Sequence, residues 1–363
     1  MMNSNSNIAS KTEKIKLALA EYLKKAENDE LKGLETIGIN KRSFSTIVYL
    51  KINTSKTSRR VVMKTVNHHP INKAITDREN QAVVEYNILK YLYPKFQEVE
   101  KCSVPRPILV IPEIETFVME YVEGRLLIDE LRWDRYLSSY KKFEELQDHF
   151  YNSGRWLRYF QEFTGIYQGS SDILKSVIER AESRLQLIEK SDDPSIPKNL
   201  FIVVRTFLSD QLKKLSGMKI PVSGRHSDFH PLNILAGQNG VTVIDFMGYQ
   251  KDCVAVDVLK MIVHLEDETR SLTASCRRVE ILKEKFLEGY GKIPVVPLPA
   301  LFICEAMHRI VSILGNISNK SNLFHHWVES DHRIKAHIKW FLNEDRNCLG
   351  PIPHSTSINY FTN

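Results

Sequence analysis

Near residue 124 the hydrophobic period of this chain changes, and few folds tolerate such a change. Before that point, apolar residues come in β-branched runs. STIVYLKI (45–52) and RRVVMKTV (59–66), separated by the polar NTSKTS, read as a hairpin, and RPILVI (106–111) and ETFVMEYV (115–122) add two strands. After Glu123-Gly124 apolar residues recur every three or four positions, which predicts helices over 135–165, 171–190, 197–216, 254–268, 274–290, 298–315 and 323–344. Two helices are also expected in the first third. One carries Ile15, Leu19, Leu23 and Ala26 behind the capping-box spacing of Ser10 and Glu13; the other spans about 74–92, with Ala82, Val83, Tyr86, Leu89 and Leu92 as its stripe. A strand-rich first third is thus joined to a helix-rich remainder. The expected class is α+β with two lobes: 1–9 disordered, 10–123 a small strand-rich lobe, 124–350 a larger helical lobe, and 351–363 an irregular tail.

Composition narrows the function classes. With 363 residues, 42% apolar and 26% charged, the chain can bury two sizeable cores. Its net charge of +6 suits a phosphate-bearing ligand, but Lys and Arg are spread along the chain, which argues against a nucleic-acid partner. Five cysteines (102, 253, 276, 304 and 348) are odd in number and contain no CxxC pair, so neither a disulfide framework nor a zinc site is expected. No signal-peptide pattern opens the sequence and no membrane span is expected, which points to a cytoplasmic protein.

The extended segment at 225–246 interrupts the helices and carries unusual polar residues. HSDFHPLNIL (226–235) holds Asp228 and Asn233 five positions apart, and VIDF ends an apolar run in Asp245. Each alone reads more readily as a turn residue, a helix cap and a strand end. Together they are the oxygen donors that phosphoryl transfer requires: Asp228 to orient an acceptor hydroxyl, Asn233 and Asp245 to meet a divalent cation on the phosphates.

HSDFHPLNIL followed by VIDF resembles the catalytic segment of the aminoglycoside phosphotransferase and choline kinase-like family, small-molecule relatives of the protein kinases. The pattern His-Gly-Asp-x-His-Pro-x-Asn, then Ile-Asp-Phe, is met at His226, Asp228, His230, Pro231, Asn233, Ile234, Leu235, Ile244, Asp245 and Phe246. It is broken at Ser227, where Gly is usual, and at Met247, where an acidic residue is frequent. The resemblance covers about 35–270 and implies a protein-kinase-like fold using ATP and Mg2+. It implies Asp228 as catalytic base and Asn233 and Asp245 as metal ligands. Lys64 would hold the nucleotide phosphates, paired with Glu85 or, as the other candidate, Glu79. Gly38, Asn40, Ser43 and Phe44 resemble the loop over the phosphates, and the backbone at Glu120, Tyr121 and Val122 the adenine contact. His226 and Asp257 are expected to brace the catalytic loop.

The implied partners are a nucleotide and a small hydroxylated acceptor. From 226 onward there are 14 basic and 15 acidic residues, no excess that would attract a polycationic aminoglycoside, although Glu266, Asp267 and Glu268 cluster. An aromatic box for a quaternary amine would draw on residues such as Trp327 and Trp340, whose helical spacing suits packing. A sugar, amino alcohol or glycan precursor is the leading expectation; aminoglycoside resistance and a non-catalytic nucleotide-binding module are the alternatives. A protein kinase is disfavoured, because only eleven residues separate Asp245 from Asp257.

Overall fold

The computed structural model describes residues 2–42, 44–67, 80–137, 140–271, 275–292, 294–320 and 324–343. The chain forms two compact units, Met1–Gly124 with Thr242–Tyr249, and Arg125–Val241 with Gln250–Asn363. A small strand-rich unit and a larger helical one make up the α+β plan that the change of period demands.

In the first unit, strands β1 (Leu31–Lys41), β2 (Ser45–Thr54), β3 (Ser58–Val66), β5 (Pro107–Ile111) and β6 (Thr116–Glu120) form a sheet in the order β1-β2-β3-β6-β5. A two-residue strand, β4 (Cys102–Ser103), precedes β5. Helix α1 (Met2–Tyr22) takes in the Asn/Ser tract expected to be disordered. Its Ile15 and Leu19 pack on Val48, Leu50, Ile52, Val61, Met63 and Val118. Alternation then turns Val62 and Lys64 toward the other face of β3, and both are buried there. Helix α2 (Gln81–Phe96) starts later than expected, and 68–79 lie outside the described residues. Its buried stripe is Ala82, Glu85, Ile88, Leu89, Leu92 and Phe96. Val83 and Tyr86, expected in that stripe, are half-buried, because the helix is rotated to bury Glu85.

In the second unit, β7 (Arg125–Leu126) pairs with β10 (Ile234–Gly237), and β8 (Tyr167–Ser170), β9 (Lys219–Arg225) and β12 (Gln250–Cys253) form a three-stranded sheet in the order β12-β9-β8. Strand β11 (Gly240–Val243) leads the chain back into the first unit at Thr242. The helices are α3 (Leu127–Leu137), α4 (Tyr140–Phe163), α5 (Leu174–Ser191), α6 (Leu200–Lys214), α7 (Ala255–Thr269), α8 (Cys276–Tyr290), α9 (Leu298–Ser318) and α10 (Phe324–Leu342). Helices α4 and α8 meet through two glycines. A Cβ on Gly154 would lie 2.0 Å from the Phe286 carbonyl oxygen, and one on Gly289 would lie 1.9 Å from that of Tyr151. Helix α9, at 21 residues, is by length and composition long and apolar enough to cross a membrane, although no segment of that length was expected from the sequence. It carries buried Glu305, His308 and Arg309 and packs against α5, α6, α7 and α10 within this unit. Trp340 on α10 packs against Phe207, Phe302 and Phe341, with the Arg309 guanidinium 4.9 Å over its ring, whereas Trp327 is half exposed.

Candidate active site

Two constellations of polar side chains stand out, one in each unit. In the first, Lys64 on β3 is buried and donates to both oxygens of Glu85 on α2, at 2.9 and 2.7 Å, and to Asp245 Oδ1 at 2.7 Å. Glu85 Oε1 also accepts the backbone N–H of Phe246 at 3.0 Å. Lysine and helix glutamate thus fix the Asp245-Phe246 segment at two adjacent points. Asp245 has φ +72°, a left-handed conformation that a non-glycine residue adopts only under local constraint. Burial alone would lower the Lys64 pKa, but the carboxylates of Asp245 and Glu85 outweigh it and hold the ammonium above its ordinary range. Of the two candidate partners for Lys64, Glu85 makes the contact; Glu79 lies outside the described residues.

The remaining first-unit candidates lie on the sheet. Gly38 and Asn40 sit within β1, opposite Tyr49 and Ile47, and just beyond the strand Arg42 N–H donates to the Ser45 carbonyl at 2.8 Å. Ser43 lies outside the described residues. A Cβ on Gly38 would stand 3.3 Å from the Tyr49 ring, so this position leaves little room for a side chain. Glu120 closes β6 and donates its N–H to the Arg106 carbonyl at 2.9 Å. Tyr121 follows, with the Arg60 guanidinium 4.1 Å over its ring. Val122, half-buried, makes no backbone hydrogen bond among the described residues.

In the second unit the catalytic-type segment runs from the end of β9 through a 3-10 turn, Pro231–Asn233, into β10. Buried Phe229 stacks on Trp156 at 5.6 Å, and His226 meets both rings edge-on at 6.0 and 6.2 Å. The buried Asp257 carboxylate, at the start of α7, accepts the backbone N–H groups of His226 (2.6 Å) and Ser227 (3.1 Å). Burial pushes its pKa up to about 6, against the nearby Arg225 and the two N–H groups. His226 Nδ1 accepts the Asp228 N–H at 3.4 Å. Ser227, where the resembled pattern has Gly, has φ +80°, and its hydroxyl accepts from Arg225 Nε at 2.9 Å. Arg225 and Arg180 both bond the fully buried Asp252.

Asp228 is held by three donors. His230 Nδ1 accepts the Leu232 N–H at 3.2 Å, which leaves the proton on Nε2, and Nε2 donates to Asp228 Oδ1 at 3.0 Å. Lys260 Nζ donates to the same oxygen at 2.9 Å, and Asn233 Nδ2 donates to Oδ2 and to the Asp228 carbonyl, both at 2.9 Å. Burial acts to raise the Asp228 pKa, but His230 and Lys260 pull it well below the ordinary range. Half of its side-chain surface is open, so an ionised carboxylate faces solvent in a fixed orientation. Lys260 is the residue that sequence reasoning missed. It lies three positions after Asp257 on α7, so helical spacing alone puts both on the face that meets the loop.

The donor chemistry suits a hard cation. Asn233 commits its amide nitrogen to Asp228, which leaves its oxygen as the end able to meet a metal, and Asp245 offers a carboxylate. Among the described residues no three His, Cys, Asp or Glu side chains group as a ready metal site. Mg2+ does not require one, since it keeps waters and phosphate oxygens and takes one or two protein ligands.

No protein-family model and no curated sequence matches the chain. Solved structures do. A choline/ethanolamine kinase family protein from Mesorhizobium loti aligns over 95% of this chain and 96% of its own, with 14% identity and a TM-score of 0.51. An amicoumacin kinase in complex with AMP-PNP, Ca2+ and Ami aligns over 87% and 90%, with 15% identity and a TM-score of 0.53. The chain has the two-lobed protein-kinase-like fold that these small-molecule kinases share.

Proposed function

We propose that this protein is an ATP-dependent small-molecule kinase that moves the γ-phosphate to a hydroxyl of a small metabolite such as a sugar, amino alcohol or glycan precursor. The observation that carries this reading is Lys64, a buried ammonium shared between Glu85 and Asp245. Burying an ion pair costs several kcal/mol of desolvation, and a second carboxylate beyond the pair adds a charge that folding does not need. A cation and a phosphate tail give both charges a use.

In this reading Lys64, fixed by Glu85, holds the nucleotide phosphates. The amides of the β1–β2 hairpin around Gly38, Asn40 and Ser43 cover them, and the backbone at Glu120, Tyr121 and Val122 meets the adenine edge. Asp245 and Asn233 would hold Mg2+, which supplies charge neutralisation on the phosphates when bound. Asp228 accepts a hydrogen bond from the acceptor hydroxyl and takes its proton as the phosphoryl group transfers, while His226 and Asp257 keep the loop backbone in place. The neighbour solved with AMP-PNP and Ca2+ supports the use of nucleotide and a divalent cation. A cytosolic setting, where ATP is at hand, suits the chemistry.

The test is ADP release from purified protein with ATP and Mg2+ across sugars, amino alcohols and aminoglycosides. One or more acceptors should raise release well above the rate in water. Asp228→Ala should abolish that gain while nucleotide still binds. An Asp228→Ala protein as active as wild type would remove the base assignment. Tight nucleotide binding with no acceptor-dependent release would favour the non-catalytic alternative.

A further inference from the structure

The acidic cluster Glu266-Asp267-Glu268 is spent inside the second unit. Glu266 is 6% exposed and accepts from Arg309 Nη2 at 2.9 Å, with Lys283 Nζ 3.9 Å from its other oxygen. Asp267 accepts from His337 Nε2 at 2.7 Å and from the Ser312 hydroxyl, and Glu268 is buried. Despite burial, Arg309 and Lys283 hold Glu266 below its ordinary range, and His337 does the same for Asp267. Carboxylates buried and bonded in this way are not in reach of a ligand.

Beside Asp228 a cation remains partly open. Lys260 Nζ and His230 Nε2 share Oδ1, and Lys260 is itself 17% exposed at the side chain. One helical turn on, His264 stacks on His230 at 5.2 Å, and burial, with His230 and Lys260 alongside, pushes it down to about 3. This face of α7 therefore presents an ammonium at Asp228 and a neutral imidazole beyond it. A carboxylate has about four acceptor positions. Lys260 and His230 fill those of Oδ1 and Asn233 takes one on Oδ2, which leaves one on Oδ2 for the acceptor hydroxyl. A hydroxyl seated there brings its neighbouring substituents close to the Lys260 ammonium. An amine in that place meets like charge, whereas an acidic group gains a partner.

Resting on the kinase reading of Asp228, we propose that Lys260 is a specificity residue that selects an acceptor with a carboxylate or phosphate near the reacting hydroxyl, a sugar acid or sugar phosphate, and rejects amines. The test is calorimetric titration of the full chain, with AMP-PNP and Mg2+ present, against glucuronate, glucose 6-phosphate, glucose, glucosamine and kanamycin, in wild type, Lys260→Met and Lys260→Arg. The acids should bind wild type at least about tenfold tighter than glucosamine. Lys260→Met should erase that ratio and Lys260→Arg should keep it, with circular dichroism spectra matched across the three. A lysine that only supports the fold would weaken every ligand alike. Tighter binding of the amines, an unchanged ratio in Lys260→Met, or no discrimination by charge overturns the proposal. Failure of the kinase reading shows separately, as absence of ADP release with every acceptor, and the binding ratio still decides the role of Lys260.

Discussion

Asp257→Asn tests whether the loop brace carries the strain that its burial implies. The carboxyl is 1% exposed and its pKa is pushed up from the ordinary 3.8 to about 6. At about 1.4 kcal/mol per pH unit this corresponds to roughly 3 kcal/mol. Because the folded state binds this proton more tightly than the unfolded chain, the stability it contributes is fully present below about pH 3.8. It declines as pH rises and is lost above about pH 6. Asparagine keeps the shape and an acceptor oxygen for the His226 and Ser227 N–H groups but does not ionise. The assay is urea unfolding of wild type and variant between pH 4 and 7.5, followed by tryptophan fluorescence. All four tryptophans (133, 156, 327 and 340) belong to the second unit, so the signal reports the unit that holds Asp257. Asp228 and Asp267, held low by their partners, give an opposite slope at more acidic pH, so the informative quantity is the difference between the two proteins. Relative to wild type, Asp257→Asn should gain about 2.4 kcal/mol on going from pH 4 to pH 7. A difference that stays flat across that range refutes the reasoning.

Two other substitutions follow from the same accounting. Lys64→Met leaves Glu85 and Asp245 without their cation and should cost about 3–5 kcal/mol in urea unfolding of the first unit, with Glu85→Gln in the same chain recovering part of it; equal stability of the single and double variants would mean the pair is not coupled. Ser227→Gly relieves a left-handed serine worth about 1–2 kcal/mol but loses the bond from Arg225, about 1 kcal/mol, and adds backbone freedom to the unfolded chain, so unfolding should place it within about 1 kcal/mol of wild type.

The strands at 45–54, 58–66, 107–111 and 116–120 were legible because they are β-branched and half-buried or better, so burial writes itself into the sequence. Strand β1 is not legible by pattern, since it lies at the sheet edge with most of its residues exposed, and only the likeness of 35–52 to a nucleotide-covering hairpin marks it. Strands β8 and β12 are four residues each, too short to show a period. At the site, Asp228, Asn233 and Asp245 were visible because their spacing is local. Lys260 was not, because its meaning lies in a contact made across 32 positions, from a helix to a distant loop. The buried stripe of α2 was misjudged for a related reason: apolar periodicity has no symbol for a glutamate that is inside because a lysine is.

The glycine seam between α4 and α8 sets where the second unit can yield. Side chains at a helix contact act as a compressible layer, and here that layer is missing: carbonyl oxygens of one helix lie where the other has only a hydrogen. Sliding one past the other would drive oxygen into Cα, so the two must travel together, and any rearrangement that admits a ligand has to be absorbed by segments that do not touch this seam.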